Sequence, residues 1–151
     1  MMEHKFSMNL SWSNGRNGTG NLTASNLNTI VSIPREMNGP GIGTNPDEML
    51  LGASATCYLI TFAALLENAK IPVVALSMDS EGFVDVTDGV FTYVRIVHRP
   101  NVKVPQLTEH EEKRMHRLAQ KAEQTCMISK ALKGNVQIEC YLEIEQSSNS
   151  Q

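Results

Sequence analysis

The eighteen residues from Met49 to Leu66 (MLLGASATCYLITFAALL) carry no charge. A run of this length and polarity has two outcomes: it crosses a bilayer, or it becomes a helix surrounded by protein on every side. Its flanks decide between them. Asp47 and Glu48 precede it and Glu67 follows, with no Lys or Arg gathered on one side, so the charge asymmetry of a membrane span is missing. Gly52, Ser54, Thr56, Cys57 and Thr61 interrupt it with small or polar side chains. We therefore expect no membrane association and a central helix buried on all faces. Its start is well marked. Asn45 can cap, Pro46 suits the first helical position, and Glu48 stands three residues after the cap, as in a capping box. Asp47 and Glu48 also meet the positive end of the helix dipole, and the helix is expected to run to about Asn68.

Periodicity supplies the neighbours of this helix. Phe6, Met8, Leu10 and Trp12 alternate with polar residues as in a half-buried strand. The turn-rich stretch from Ser13 to Gly20 leads to a second strand near Thr19–Ala24, and Asn28–Ile33 reads as a third, closed by Pro34. After the helix, Pro72–Met78 and Val90–Val97 read as strands, with a loop around Gly82 and Gly89 between them. Thr108 and Glu111 form a second capping box, and Met115, Leu118, Ala119, Ala122 and Cys126 fall on one helical stripe. Gly134 ends that region, and Val136, Ile138, Cys140, Leu142 and Ile144 alternate in a last strand. The order is βββ-α-ββ-α-β, an α+β fold in a single domain over residues 1–151, with 146–151 as a disordered tail.

Thirteen Lys and Arg stand against sixteen Asp and Glu, a net charge of −3. There is no basic stripe, so nucleic acid is not an expected partner. The opening residues MMEHKFSMNLSW contain no apolar export segment, and the three cysteines are too few for a disulfide scaffold. The expected compartment is the reducing cytoplasm, where cysteines are reactive or inert rather than structural. Cys57 lies mid-helix and Cys126 ends the second helical stripe; periodicity alone does not bring them together. Cys140 reads as core, and the four His show no metal-binding spacing. Three chemistries fit these residues: a thiol-based redox enzyme, a hydrolase pairing Cys57 with His98, and a non-catalytic redox sensor or ligand carrier.

The stretch Gly43-Thr-Asn-Pro-Asp-Glu-Met-Leu-Leu-Gly-Ala-Ser-Ala-Thr-Cys57 resembles the GTNPE-x9-C signature of the OsmC/Ohr family of thiol peroxidases. Ala122-Glu-Gln-Thr-Cys126-Met-Ile-Ser129-Lys-Ala131, followed by Gly134-Asn135-Val136, resembles the second half of the pattern, and Asn14-Gly15-Arg16 with Pro34 resembles an element of the Ohr branch. The resemblance implies antiparallel sheets around a buried central helix in an intertwined homodimer. It implies peroxidatic Cys57, resolving Cys126, and Arg16 stabilising the thiolate, with organic hydroperoxide as substrate and a dithiol of the dihydrolipoyl type as reductant. It implies no cofactor. Apolar residues such as Phe62, Met127 and Ile128 are expected to favour an organic peroxide.

Two positions depart from the family pattern. Asp47 stands where the family has the Glu that orients the Arg, with Glu48 beside it as a substitute, and Met127 stands where Pro usually follows the resolving Cys. A straight helix separates Asp47 from Cys57 by about 15 Å along its axis. Either the helix breaks near Gly52, or Asp47 and Arg16 approach Cys57 of the other subunit.

Overall fold

A computed structural model describes residues 1–147; of the expected tail, residues 148–151 lie outside the described residues. Contacts group the chain into two units, residues 1–49 and the chain from Leu50 onward.

In the first unit, β1 (Met8–Ser13), β2 (Thr19–Ala24) and β3 (Asn28–Val31) form an antiparallel sheet in that order. Leu10 pairs with Leu22 and Trp12 with Gly20. The β1–β2 connection needs left-handed backbone, which Asn14 (φ 73°) and Gly15 (φ 61°) supply. Trp12 Nε1 donates to the Gly15 carbonyl at 2.7 Å. Leu22 and Val31 are buried, whereas every residue of β1 is exposed and Phe6 lies ahead of the strand. The expected half-buried first strand is thus a bare one, because alternation marks an apolar face without saying which chain covers it. The third strand stops at Val31, two residues short of expectation. Beyond it, Ser32 N–H donates to the Thr44 carbonyl and Thr44 N–H to that of Ile30, which folds the loop back beside β3. Gly43 is obligatory there: its φ is 70°, and a Cβ would collide with the Ile30 carbonyl oxygen.

Helix α1 (Pro46–Asn68) is continuous, with no break at Gly52. Its buried residues are Ser54, Tyr58, Phe62 and Leu66, a single stripe at four-residue spacing. By length and a mean hydropathy of 1.9 it is able to cross a membrane, yet here the stripe packs into a core with Ile71, Val102, Val104, Met115, Ala119 and Ala122. Burial on all faces is not met within one chain: Ile60, for example, is 65% exposed. A lone domain of this size has too few elements to wrap a helix completely.

In the second unit, β4 (Ala75–Thr87) and β5 (Val90–Val104) form one long hairpin. Asp88 (φ 52°) and Gly89 (φ 76°) make its two-residue turn, the left-handed pair that matches the twist of adjoining strands. Gly82 lies inside β4, at a register shift beside Phe83 and Val84, instead of in a loop. The expected second helix is two, α2 (Glu109–Thr125) and α3 (Met127–Leu132), parted at Cys126. The expected last strand is also two, β6 (Gln137–Cys140) and β7 (Glu143–Gln146). Both run parallel to β5, so this sheet is mixed rather than antiparallel. The cause is the helical crossover after β5, which returns the chain to its original direction.

Candidate active site

Cys57 projects from the middle of α1 and is half-buried; Cys126 is fully buried. The backbone of Cys126 leaves the helical region (ψ 127°), yet it stays tied on both sides. Its N–H donates to the Ala122 carbonyl at 2.9 Å, and its carbonyl accepts from Lys130 N–H at 3.0 Å. This break ends α2 and starts α3 within one residue, which frees the first N–H groups of α3 from helical bonding.

Those groups act on the thiols. Burial alone raises the pKa of Cys57 and is the largest single influence on it. Hydrogen bonds from the Cys126 side chain, the backbone of Ile128 and Met127, and the Thr61 side chain outweigh burial, and the thiol ends below its ordinary value. Cys126 moves the other way, raised by burial and by its bond to Cys57. All these partners lie in the second unit. The arrangement favours the anion at the more accessible sulfur and disfavours it at the buried one. A thiolate is the nucleophilic form of cysteine, and a contacting thiol is a ready attacker of whatever sulfur acid it becomes.

The same unit holds a buried polar chain. His98 is fully buried in β5; Nε2 lies 3.2 Å from Ser54 Oγ and Nδ1 2.7 Å from Ser80 Oγ. Burial lowers its pKa to about 4, so the ring is neutral at pH 7. Both ring nitrogens of His98 are thus engaged by serines. The Tyr58 hydroxyl donates to the Ala119 carbonyl at 2.9 Å and lies 2.8 Å from Cys140 Sγ. Cys140 packs at the edge of the core, as its place on the strand predicts.

The remaining sequence candidates belong to the first unit. Arg16 sits in a single turn of tight helix, with Nη2 on the Met37 carbonyl (2.6 Å) and Nη1 on the Asn38 carbonyl (3.1 Å). Glu48 accepts from the Thr44 hydroxyl at 2.6 Å, while its N–H donates to Asn45 Oδ1, so Asn45 is the cap that the sequence predicts. Asp47 is half-buried in the first turn of α1. Of the expected apolar lining, Phe62 is core instead, Ile128 is half-buried and Met127 is 73% exposed. The sequence reading missed Thr61, Tyr58, Ser54, Ser80 and the two backbone donors. The four-residue spacing of Ser54 and Tyr58 was the one available signal.

A model of the family described as OsmC-like protein matches residues 39–140, a span holding both Cys57 and Cys126 and beginning after Arg16. The chain belongs to the OsmC-like family. It is 49% identical over 140 residues to the uncharacterized protein YmaD of Bacillus subtilis (strain 168), covering 92% of this chain and 93% of that one. It is 29% identical over 126 residues to an organic hydroperoxide resistance protein of Xanthomonas axonopodis pv. citri (strain 306), covering 82% and 84%. Among solved structures, the organic hydroperoxide resistance protein OsmC of Legionella pneumophila superposes with a TM-score of 0.73 at 25% identity, over 93% of this chain and 99% of that one. These OsmC-like neighbours share the α+β architecture described above.

Proposed function

We propose that the chain is a thiol-dependent peroxidase that reduces organic hydroperoxides. The Cys57 thiolate attacks an oxygen of the hydroperoxide, an S–O bond forms as the O–O bond breaks, and Cys57 becomes a sulfenic acid; the alkoxide leaves as the alcohol on taking up the proton that the Cys57 thiol gave up when it ionised. The Cys126 sulfur then attacks Cys57, the S–O bond breaks, water leaves, and a Cys57–Cys126 disulfide remains. A dithiol of the dihydrolipoyl type returns both residues to thiols. The observation that carries this reading is the hydrogen-bonded pair itself, with Cys57 shifted down and Cys126 up. Membership of a family that includes organic hydroperoxide resistance proteins is consistent with it.

The reading extends to a cytoplasmic homodimer. The bare apolar faces of α1 and β1 support a second copy as their cover. In this reading Arg16, oriented by Asp47 or Glu48, stabilises the Cys57 thiolate across the subunit contact, a route that the continuity of α1 supports. The test is consumption of cumene hydroperoxide and of hydrogen peroxide with a dithiol present. The expected result is turnover that favours the organic peroxide and is lost in Cys57→Ser. Retention of more than about a tenth of the activity in that variant, an effect of only about 1.4 kcal/mol, overturns the assignment.

A further inference from the structure

Tyr58 follows Cys57 directly on α1 and is fully buried. Its hydroxyl reaches two partners, the Ala119 carbonyl in α2 and Cys140 Sγ in β6. A phenol has one proton and a carbonyl only accepts, so Tyr58 donates to Ala119 and the Cys140 thiol donates to the Tyr58 oxygen. Burial pushes the phenol pKa far above its ordinary value, so that proton stays in place throughout the neutral range. The ring stacks on His98 with centroids 5.1 Å apart and planes 26° from parallel. His98 is in turn held by Ser54, three residues before Cys57, and by Ser80. The phenol is therefore fixed from below as well as at its tip.

Ala119 stands seven residues ahead of Cys126, about two helical turns. One side chain thus joins the helix carrying Cys57 to the helix that ends at Cys126. Apolar contacts between helices tolerate small sliding, whereas a hydrogen bond is specific in distance and angle. We propose that Tyr58 is a positioning residue whose bond to the Ala119 carbonyl sets the spacing of α1 and α2, and with it the approach of Cys126 to Cys57.

The inference rests on the two-cysteine cycle proposed above and concerns its second step alone. The experiment adds one equivalent of cumene hydroperoxide and follows two quantities: loss of the Cys57 thiol, trapped by alkylation, and appearance of the disulfide, read by non-reducing peptide mapping. In Tyr58→Phe the first is expected to stay within about twofold of wild type while the second slows by on the order of tenfold to a hundredfold, the upper figure being the cost of about 1 Å of misplacement. Excess peroxide then drives Cys57 to sulfinic acid in the variant at doses the wild type survives. General loss of packing slows both steps together and overturns the proposal, as does an unchanged disulfide rate. Cys140→Ala keeps the Tyr58–Ala119 bond and is expected to form the disulfide at the wild-type rate. Slowing there to the extent expected of Tyr58→Phe overturns the proposal even if Tyr58→Phe fails to fold, because packing at β6 would then be the cause. A wild-type protein that consumes peroxide without forming a Cys57–Cys126 disulfide overturns the parent cycle instead.

Discussion

Cys126 hydrogen-bonds to Cys57, and the two thiols are pushed in opposite directions. Burial opposes ionisation at both; at Cys57 the bonds from Cys126, Ile128, Met127 and Thr61 prevail, and at Cys126 they do not. Alkylation across pH should therefore label Cys57 with a midpoint below that of an ordinary thiol, and Cys126 with one above it. In Cys126→Ala the Cys57 midpoint should rise. A midpoint that stays put would remove Cys126 as the donor.

Cys126→Ser should still react once with peroxide and then fail to turn over. Without a resolving thiol, excess peroxide carries Cys57 to sulfinic and sulfonic acid. Mass spectrometry of the Cys57 peptide reads the outcome, and an unmodified Cys57 argues against its peroxidatic role.

His98 should make the fold sensitive to mild acid. Its folded pKa of about 4 lies below the ordinary 6.5, so the unfolded chain takes up the proton first. The associated stability, about 3 kcal/mol at most, is fully present above about pH 6.5 and is lost as the pH falls toward 4. Urea unfolding at pH 7 and pH 5 should show the decline, and His98→Gln should flatten it. Most carboxylates titrate below that window, so equal slopes in the two proteins would mean that the ring is not buried neutral.

Arg16→Ala should cost about 1 kcal/mol of stability through its lost bonds to Met37 and Asn38. A loop arginine judged from sequence alone would cost almost nothing. The proposed dimer role adds a second effect, a slower reaction of Cys57 with peroxide and a raised alkylation midpoint. A lower urea midpoint with an unchanged alkylation profile would make Arg16 a loop tether only.

The start of α1 was legible because Asn45, Pro46 and Glu48 each act locally, within one turn. The break at Cys126 was not. No Pro or Gly marks it, and the apolar stripe of α2 runs up to it in phase. The split between β6 and β7 is hidden in the same way, since Cys140, Leu142 and Ile144 keep their alternation across it. The two sulfurs were legible as candidates, but their contact was not, because it depends on how α1 packs on α2. The donors at Met127 and Ile128 are backbone groups, which side-chain identity does not encode.

The double tether of Cys126 has a consequence for how long an oxidised site persists. Its N–H is held by Ala122 and its carbonyl by Lys130, so the backbone that carries one sulfur of the proposed disulfide is anchored to both helices. Rotamer changes are far faster than the meeting of two macromolecules at cellular concentrations. In the proposed cycle a sulfenic acid at Cys57 therefore meets its resolving sulfur without waiting for a second protein.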